Sequence, residues 1–173
     1  VNLASTTQIT AAGSGAIVIS AAGSIDLKAD DSGANSVSNA ITAAGNLSLI
    51  ATNGQIVRTD GDAVTAAAQA INLSFATTLD QNVGFSPVTL LQVTKSNGDL
   101  TVDSFDVPDL NLRALNGDIV FAPGSVFSGG SVTVAQGGNA IFDAGAVTFN
   151  STLHSTLPMV VAGASVAFNA VVT

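Results

Sequence analysis

Of the 173 residues 47% are hydrophobic, with a mean hydropathy of +0.51, which is ample apolar surface for one folded domain and too much for a disordered chain. Only 9% are charged, every one of the twelve acids is Asp, and four cations leave a net charge of −8, so no basic footprint for nucleic acid or anionic lipid exists. The absence of Cys excludes disulfides and thiolate chemistry, and no apolar run approaches the roughly 18–20 residues that would insert in a membrane as a helix.

Glu is absent altogether, and Ser, Thr, Asn and Asp take the places that Glu, Lys, Arg and Gln would fill on a helix surface. Those short polar side chains compete with helical backbone for hydrogen bonds and suit turns and the outer faces of strands. The composition predicts an all-β fold. The start, Val-Asn-Leu, has no basic segment followed by an apolar one, so an export signal is expected to be removed or to lie outside this sequence.

In chain order, Ile9-Thr-Ala-Ala-Gly13 introduces a pattern of strand end, small-residue turn and strand start. It returns as Ile19-Ser-Ala-Ala-Gly-Ser-Ile25-Asp-Leu27, as Ile41-Thr-Ala-Ala-Gly-Asn-Leu47-Ser-Leu49, and as Val64-Thr-Ala-Ala-Ala-Gln-Ala-Ile71-Asn-Leu73. Looser copies begin at Val93, Leu112, Val134 and Val161. The anchors at 19, 41, 64, 93, 112, 134 and 161 are about 24 residues apart on average, the length of one solenoid coil. Asn35–Ala44 and Asp62–Ala70 have some propensity for short helices, although the same letters fit repeat corners. Longer intervals near 76–90, with Pro87, and near 150–160, with Pro158, predict loops leaving the coil.

Within each copy apolar residues alternate with polar ones, which directs one face of each short strand inward. The predicted inner rows are Ile25, Leu47, Ile71, Leu100, Ile119, Val132, Val147 and Val166, beside Leu27, Leu49, Leu73, Val102, Val134, Phe149 and Phe168. Whole two-strand units recur, which antiparallel sandwiches do not do. The expectation is therefore a right-handed parallel β-helix of about seven coils, each of roughly 22–24 residues built from three short strands, as a single domain over residues 1–173.

The units Gly45-Asn-Leu-Ser-Leu-Ile-Ala51, Gly117-Asp-Ile-Val-Phe121 and Gly130-Ser-Val-Thr-Val-Ala135 resemble the repeats of filamentous haemagglutinin-like adhesins, secreted bacterial proteins of the two-partner and autotransporter systems. The resemblance implies a β-helix at a cell surface, used as a stalk or adhesive rod. The Asn-Pro-Asn-Leu type of signature found in that family's secretion domain is absent.

Candidate chemistry is sparse. His154 is the single histidine and has no acid closer in sequence than Asp143, so a polar loop residue is the expectation over a Ser-His-Asp arrangement. Asp103, Asp106 and Asp109 are the residues a polysaccharide-cleaving β-helix would use; their spacing of three does not align them on one strand face, and a solvated acidic edge is the simpler reading. Asp30, Asp31, Asp60 and Asp62 place hard oxygen ligands in turns where Ca²⁺ could bind, although ordinary Asp turns look the same and no complete calcium-loop motif is present. Asn46, Asn72 and Asn150 head acceptor sequons, two of them inside the repeat. The mixed outer row of Asp26, Ser48, Asn72, Thr101, Asn111, Thr133 and Thr148 argues against a regular Thr array for binding ice.

All sixteen formal charges fall between Asp26 and Asp143. Soluble solenoids blunt their end strands with charge, Pro or a cap, and here neither end does. Two readings follow: excision from a longer rod, or pairing of the ends with further copies, head to tail. Val1 and Leu3 at one end, and Val166, Phe168, Val171 and Val172 at the other, are the predicted self-assembly edges. The functional expectation is a secreted extracellular structural protein without a cofactor, forming a filament or surface rod. The alternatives are a stalk segment of a large adhesin that binds glycan or host protein, and a polysaccharide-degrading β-helix enzyme.

Overall fold

A computed structural model of the chain describes residues 2–3, 9–11, 14–27, 40–57, 65–80, 83–142, 145–161 and 164–173. Among them there is no helix, and the ladders between strands are parallel. The chain divides into two compact units, residues 1–88 and 89–173. Counted over both, the ladders amount to about five turns of β-solenoid.

The first unit contains β1 (Asn2–Leu3), β2 (Ile9–Ala11), β3 (Ile17–Ala21), β4 (Ile25–Leu27), β5 (Ala40–Ala43), β6 (Asn46–Ala51), β7 (Ile56–Val57) and β8 (Thr65–Phe75). Three ladders organise it. One runs β1–β4–β7, a second joins β2 to β5 and to the first part of β8, and a third joins β3 to β6 and to the rest of β8. In the third, Ile17 pairs with Leu47 and Leu47 with Ile71, while Ile19, Leu49 and Leu73 form the next row. Leu47, Leu49, Ile71 and Leu73 are buried and the alternate Ser48 and Asn72 are half-buried, as a period of two requires when one face meets the core. Ile25 and Leu27 are also buried, but on the ladder of β4, where Ile25 pairs with Ile56.

The strand β9 (Gly84–Lys95) crosses the division at Thr89. It is followed by β10 (Leu100–Val102), β11 (Phe105–Asp106), β12 (Asp109–Ala114), β13 (Ile119–Phe121), β14 (Val126–Ser128) and β15 (Ser131–Val134). The last five are β16 (Ala140–Phe142), β17 (Gly145–Phe149), β18 (Thr152–Ser155), β19 (Met159–Val161) and β20 (Ala164–Phe168). Here each coil contributes one strand to each of three ladders: β9–β12–β15–β18, β10–β13–β16–β19 and β11–β14–β17–β20. This is the expected coil of three short strands. Rungs of the second ladder advance from Leu100 to Ile119, Ala140 and Met159, steps of 19, 21 and 19 residues.

The corner before that ladder explains the recurrent Gly-Asp. Asp99 Oδ1 accepts the Asp118 amide at 2.9 Å, and Asp118 Oδ1 accepts both the amide of Asn139 at 2.7 Å and its Nδ2 at 3.1 Å. Each acid thus satisfies a backbone donor on the following coil, which the strand ladders leave over at the bend. In the first unit Ser24 serves the same purpose, its Oγ accepting the Gln55 amide at 3.3 Å. The interior of the second unit is aromatic: Phe121 stacks on Phe142 at 5.1 Å, and Phe149 lies between Phe127 at 4.9 Å and Phe168 at 5.5 Å.

Several expectations change. Residues 40–43 and 65–70 are strand, so the described parts of the two possible helices are β structure; buried Ile41, Ala66 and Ala68 face inward and ladder pairing outweighs local propensity. Residues 84–90, inside the segment read as a loop, belong to β9, with Pro87 buried in the strand. Thr152–Ser155 and the start of β19 likewise occupy much of 150–160.

Candidate self-assembly surface

The residues expected at the last coil lie on its outermost strands. Among the described residues β19 pairs only with β16, and β20 only with β17. Each has one ladder partner. Val166 and Phe168 continue the inward rows of Val147 and Phe149, but Val166 is half-buried and Phe168 is 39% exposed, because no further strand among the described residues pairs with β20 on that side. Val171 and Val172 are exposed too. Val172 forms a single parallel bridge to Leu153, supported by Leu153 N donating to Val171 O and Thr173 N donating to Leu153 O, both at 2.9 Å. The Val171–Thr173 segment is therefore a further rung laid on β18.

Reading the sequence missed the largest contribution. Met159, Val160 and Val161 are 47%, 42% and 57% exposed, so all of β19 presents apolar side chains to solvent. An unbroken Met-Val-Val run directly after Pro158 was the available signal. Taken with Phe168, Val171 and Val172, these residues make up most of the exposed large apolar side chains among the described residues, whereas Val18, Val88, Leu115 and Val126 occur singly elsewhere.

At the other expected edge, β1 pairs with β4 through Leu3 and Leu27. Val1 lies outside the described residues, as do the calcium candidates Asp30, Asp31, Asp60 and Asp62. No group of three or more His, Asp or Glu able to hold a metal occurs among the described residues. Asp103 follows β10, Asp106 is on β11 and Asp109 on β12, all three exposed, and Asp109 Oδ1 accepts the Ser131 hydroxyl at 2.8 Å. His154 is exposed on β18, where its Nδ1 contacts the Thr173 hydroxyl. Lys95 donates to the Asp99 carbonyl at 2.6 Å on its own coil, and Arg113 Nε donates to Gln136 Oε1 at 2.8 Å on the following one.

A shallow apolar groove in the first unit runs between Thr42–Ala44 and Ala67–Gln69, closed on one side by Ser86 and Val88. Its origin is a mismatch of register. Residues 43–45 turn between β5 and β6, while only Ala68 and Gln69 stand opposite them within the continuous β8. The lining contains no titratable side chain, so acid–base chemistry has no donor there.

No helix among the described residues is long and apolar enough to cross a membrane. No known protein family, curated protein or solved structure matches the chain.

Proposed function

We propose that this chain is a secreted, extracellular structural protein whose copies stack end to end into a filament or surface rod, akin to the haemagglutinin-like repeat proteins it resembles. In this reading the solenoid is a right-handed β-helix, the hand that parallel crossovers favour sterically. The role is mechanical, without catalysis or a cofactor.

The observation that carries it is the apolar, uncovered edge of the last coil, above all β19. Parallel edge strands present unpaired backbone groups to any further strand, and apolar side chains beside them favour its arrival. Contact between unlike ends is heterologous and does not close, so it generates an open filament. Val160 tests this because it is exposed and a Lys there leaves the interior untouched. The parent chain at high concentration is expected to form filaments under the electron microscope, and Val160→Lys to shift it at least tenfold towards monomer by sedimentation. Monodisperse monomer from both would refute the proposal.

A second reading, the stalk of a larger adhesin that presents glycan- or host-binding surfaces, is favoured by the Val171–Thr173 rung, since it shows that β18 already accepts another strand of the same chain. Under that reading the parent chain stays monomeric at every concentration.

A further inference from the structure

Three Asn-Gly pairs stand at corners of the coils: Asn53-Gly54, Asn97-Gly98 and Asn116-Gly117. In such a pair the amide nitrogen after Asn can attack the Asn side chain, because glycine has no Cβ to screen that nitrogen and its backbone turns freely. All three asparagines are exposed, so exposure does not rank them. Their hydrogen bonds do. Asn116 Nδ2 donates to the Ser96 carbonyl on the preceding coil at 2.8 Å, which ties down the nitrogen that would leave. At Asn53 the attacking nitrogen is engaged instead, since Gly54 N donates to the Ala51 carbonyl at 3.4 Å, and Asn53 N itself donates to the Ala22 carbonyl at 3.0 Å. Among the described residues neither the Asn97 side chain nor the Gly98 amide has a hydrogen-bond partner. A Cβ added at Gly54 or Gly117 would overlap the backbone of the preceding rung, whereas at Gly98 it would meet nothing within 4 Å. The flanks of that third pair are nevertheless fixed, Lys95 Nζ donating to the Asp99 carbonyl at 2.6 Å and Asp99 Oδ1 accepting the Asp118 amide at 2.9 Å. Asn97-Gly98 is thus the unbonded tip of a pinned corner.

We propose that Asn97 is a self-modification site, deamidating through a succinimide while the fold protects Asn53 and Asn116. The Gly98 nitrogen, after giving its proton to solvent base, attacks Asn97 Cγ. The N–Cγ bond forms, the Cγ–Nδ2 bond breaks, and ammonia leaves with a proton from water. Water then opens the ring at one of its two carbonyl carbons. Opening at Cγ leaves aspartate, and opening at the main-chain carbonyl leaves isoaspartate, with the backbone rerouted through the side chain. Either product sets a carboxylate between Lys95 and Asp99 and adds one negative charge to the net −8. Gly98 has φ +74°, in the left-handed region, so the corner itself favours glycine at the attacking position. The site does not depend on assembly.

Cleavage by trypsin after Arg58, Lys95 and Arg113 puts each Asn-Gly pair in a different peptide, so mass spectrometry reads the three sites separately. The folded chain, aged in mildly alkaline buffer and sampled over time, is expected to gain aspartate and isoaspartate at Asn97 first. One hydrogen bond that must break before the ring closes is worth about a factor of ten in rate, so Asn97 should lead Asn53 and Asn116 by at least about that much. In urea, where those bonds are gone, the three sites are expected to react at similar rates. Asn97→Gln, whose side chain would have to close a larger ring, is expected to abolish the early product and leave β-sheet circular dichroism unchanged. Reaction of the folded chain at Asn53 or Asn116 as fast as at Asn97 would overturn the inference, as would an unreactive Asn97 in a folded chain whose unfolded form reacts. The same preference for Asn97 in urea would overturn it too, because local sequence and not the fold would then be making the choice.

Discussion

At Gly117 an added Cβ would overlap the carbonyl of Gly98 on the preceding rung, whereas at Gly23 it would meet nothing within 4 Å. Two glycines that look alike in the sequence thus differ in cost. Gly117→Ala must push backbone against backbone and is expected to destabilise the chain by about 1–3 kcal/mol. Gly23→Ala should stay within about 0.5 kcal/mol. Urea titrations of both variants, followed by circular dichroism, check the difference; equal midpoints would mean that the corners do not stack as described. The Gly-polar corner was legible as a turn, but the partner of each residue was not, since it lies one coil away. Asp118 is the clearest example. Read from the sequence it is an ordinary turn acid, yet its carboxylate is the acceptor that holds Asn139 on the next coil.

The alternation within each strand was enough to choose its inward face. Of the predicted inner rows, thirteen residues from Ile25 to Phe149 are buried, and only Val166 and Phe168, on the uncovered β20, are not. Register was harder to read. The anchors at 93, 112 and 134 are true rungs, since Val93 pairs with Leu112 and Leu112 with Val134. Ile41, however, pairs with Ile9 rather than with Ile19, and Val161 pairs with Phe142 rather than with Val134. The cause is physical: Ala-Ala-Gly suits any tight corner, so similar letters serve two different bends of one coil. The aromatic stack was also only partly foreseen, through Phe149 and Phe168. Phe149 is fully buried and touches Phe121 and Phe142 edge-on besides its stacked neighbours. Phe149→Ala is therefore expected to cost about 3–5 kcal/mol, while Phe168→Ala, with part of its ring already in water, should cost less than half as much. Guanidinium unfolding of the two variants measures the ratio, and a larger loss at Phe168 would contradict the packing.

Charge distribution connects the sequence most directly with assembly. Exposed Phe168, Val171 and Val172 fall where charged letters vanish from the sequence, while Met159–Val161 escaped because a proline and polar neighbours disguised a strand as a loop. Copies that carry a net charge of −8 repel one another at long range, yet the surfaces proposed to meet bear no charged side chains. Salt should then act on the repulsion alone, which is screened beyond a Debye length of about 30 Å at 0.01 M and about 3 Å at 1 M. Raising sodium chloride from low to high concentration is expected to lower the critical concentration for filaments several-fold, and sulfate to lower it further by strengthening apolar burial. Sedimentation across a salt series provides the measurement. Filaments that dissolve as salt rises would point instead to contacts between charged side chains, which only the segment from Asp26 to Asp143 can supply, and would move the interface away from the last coil.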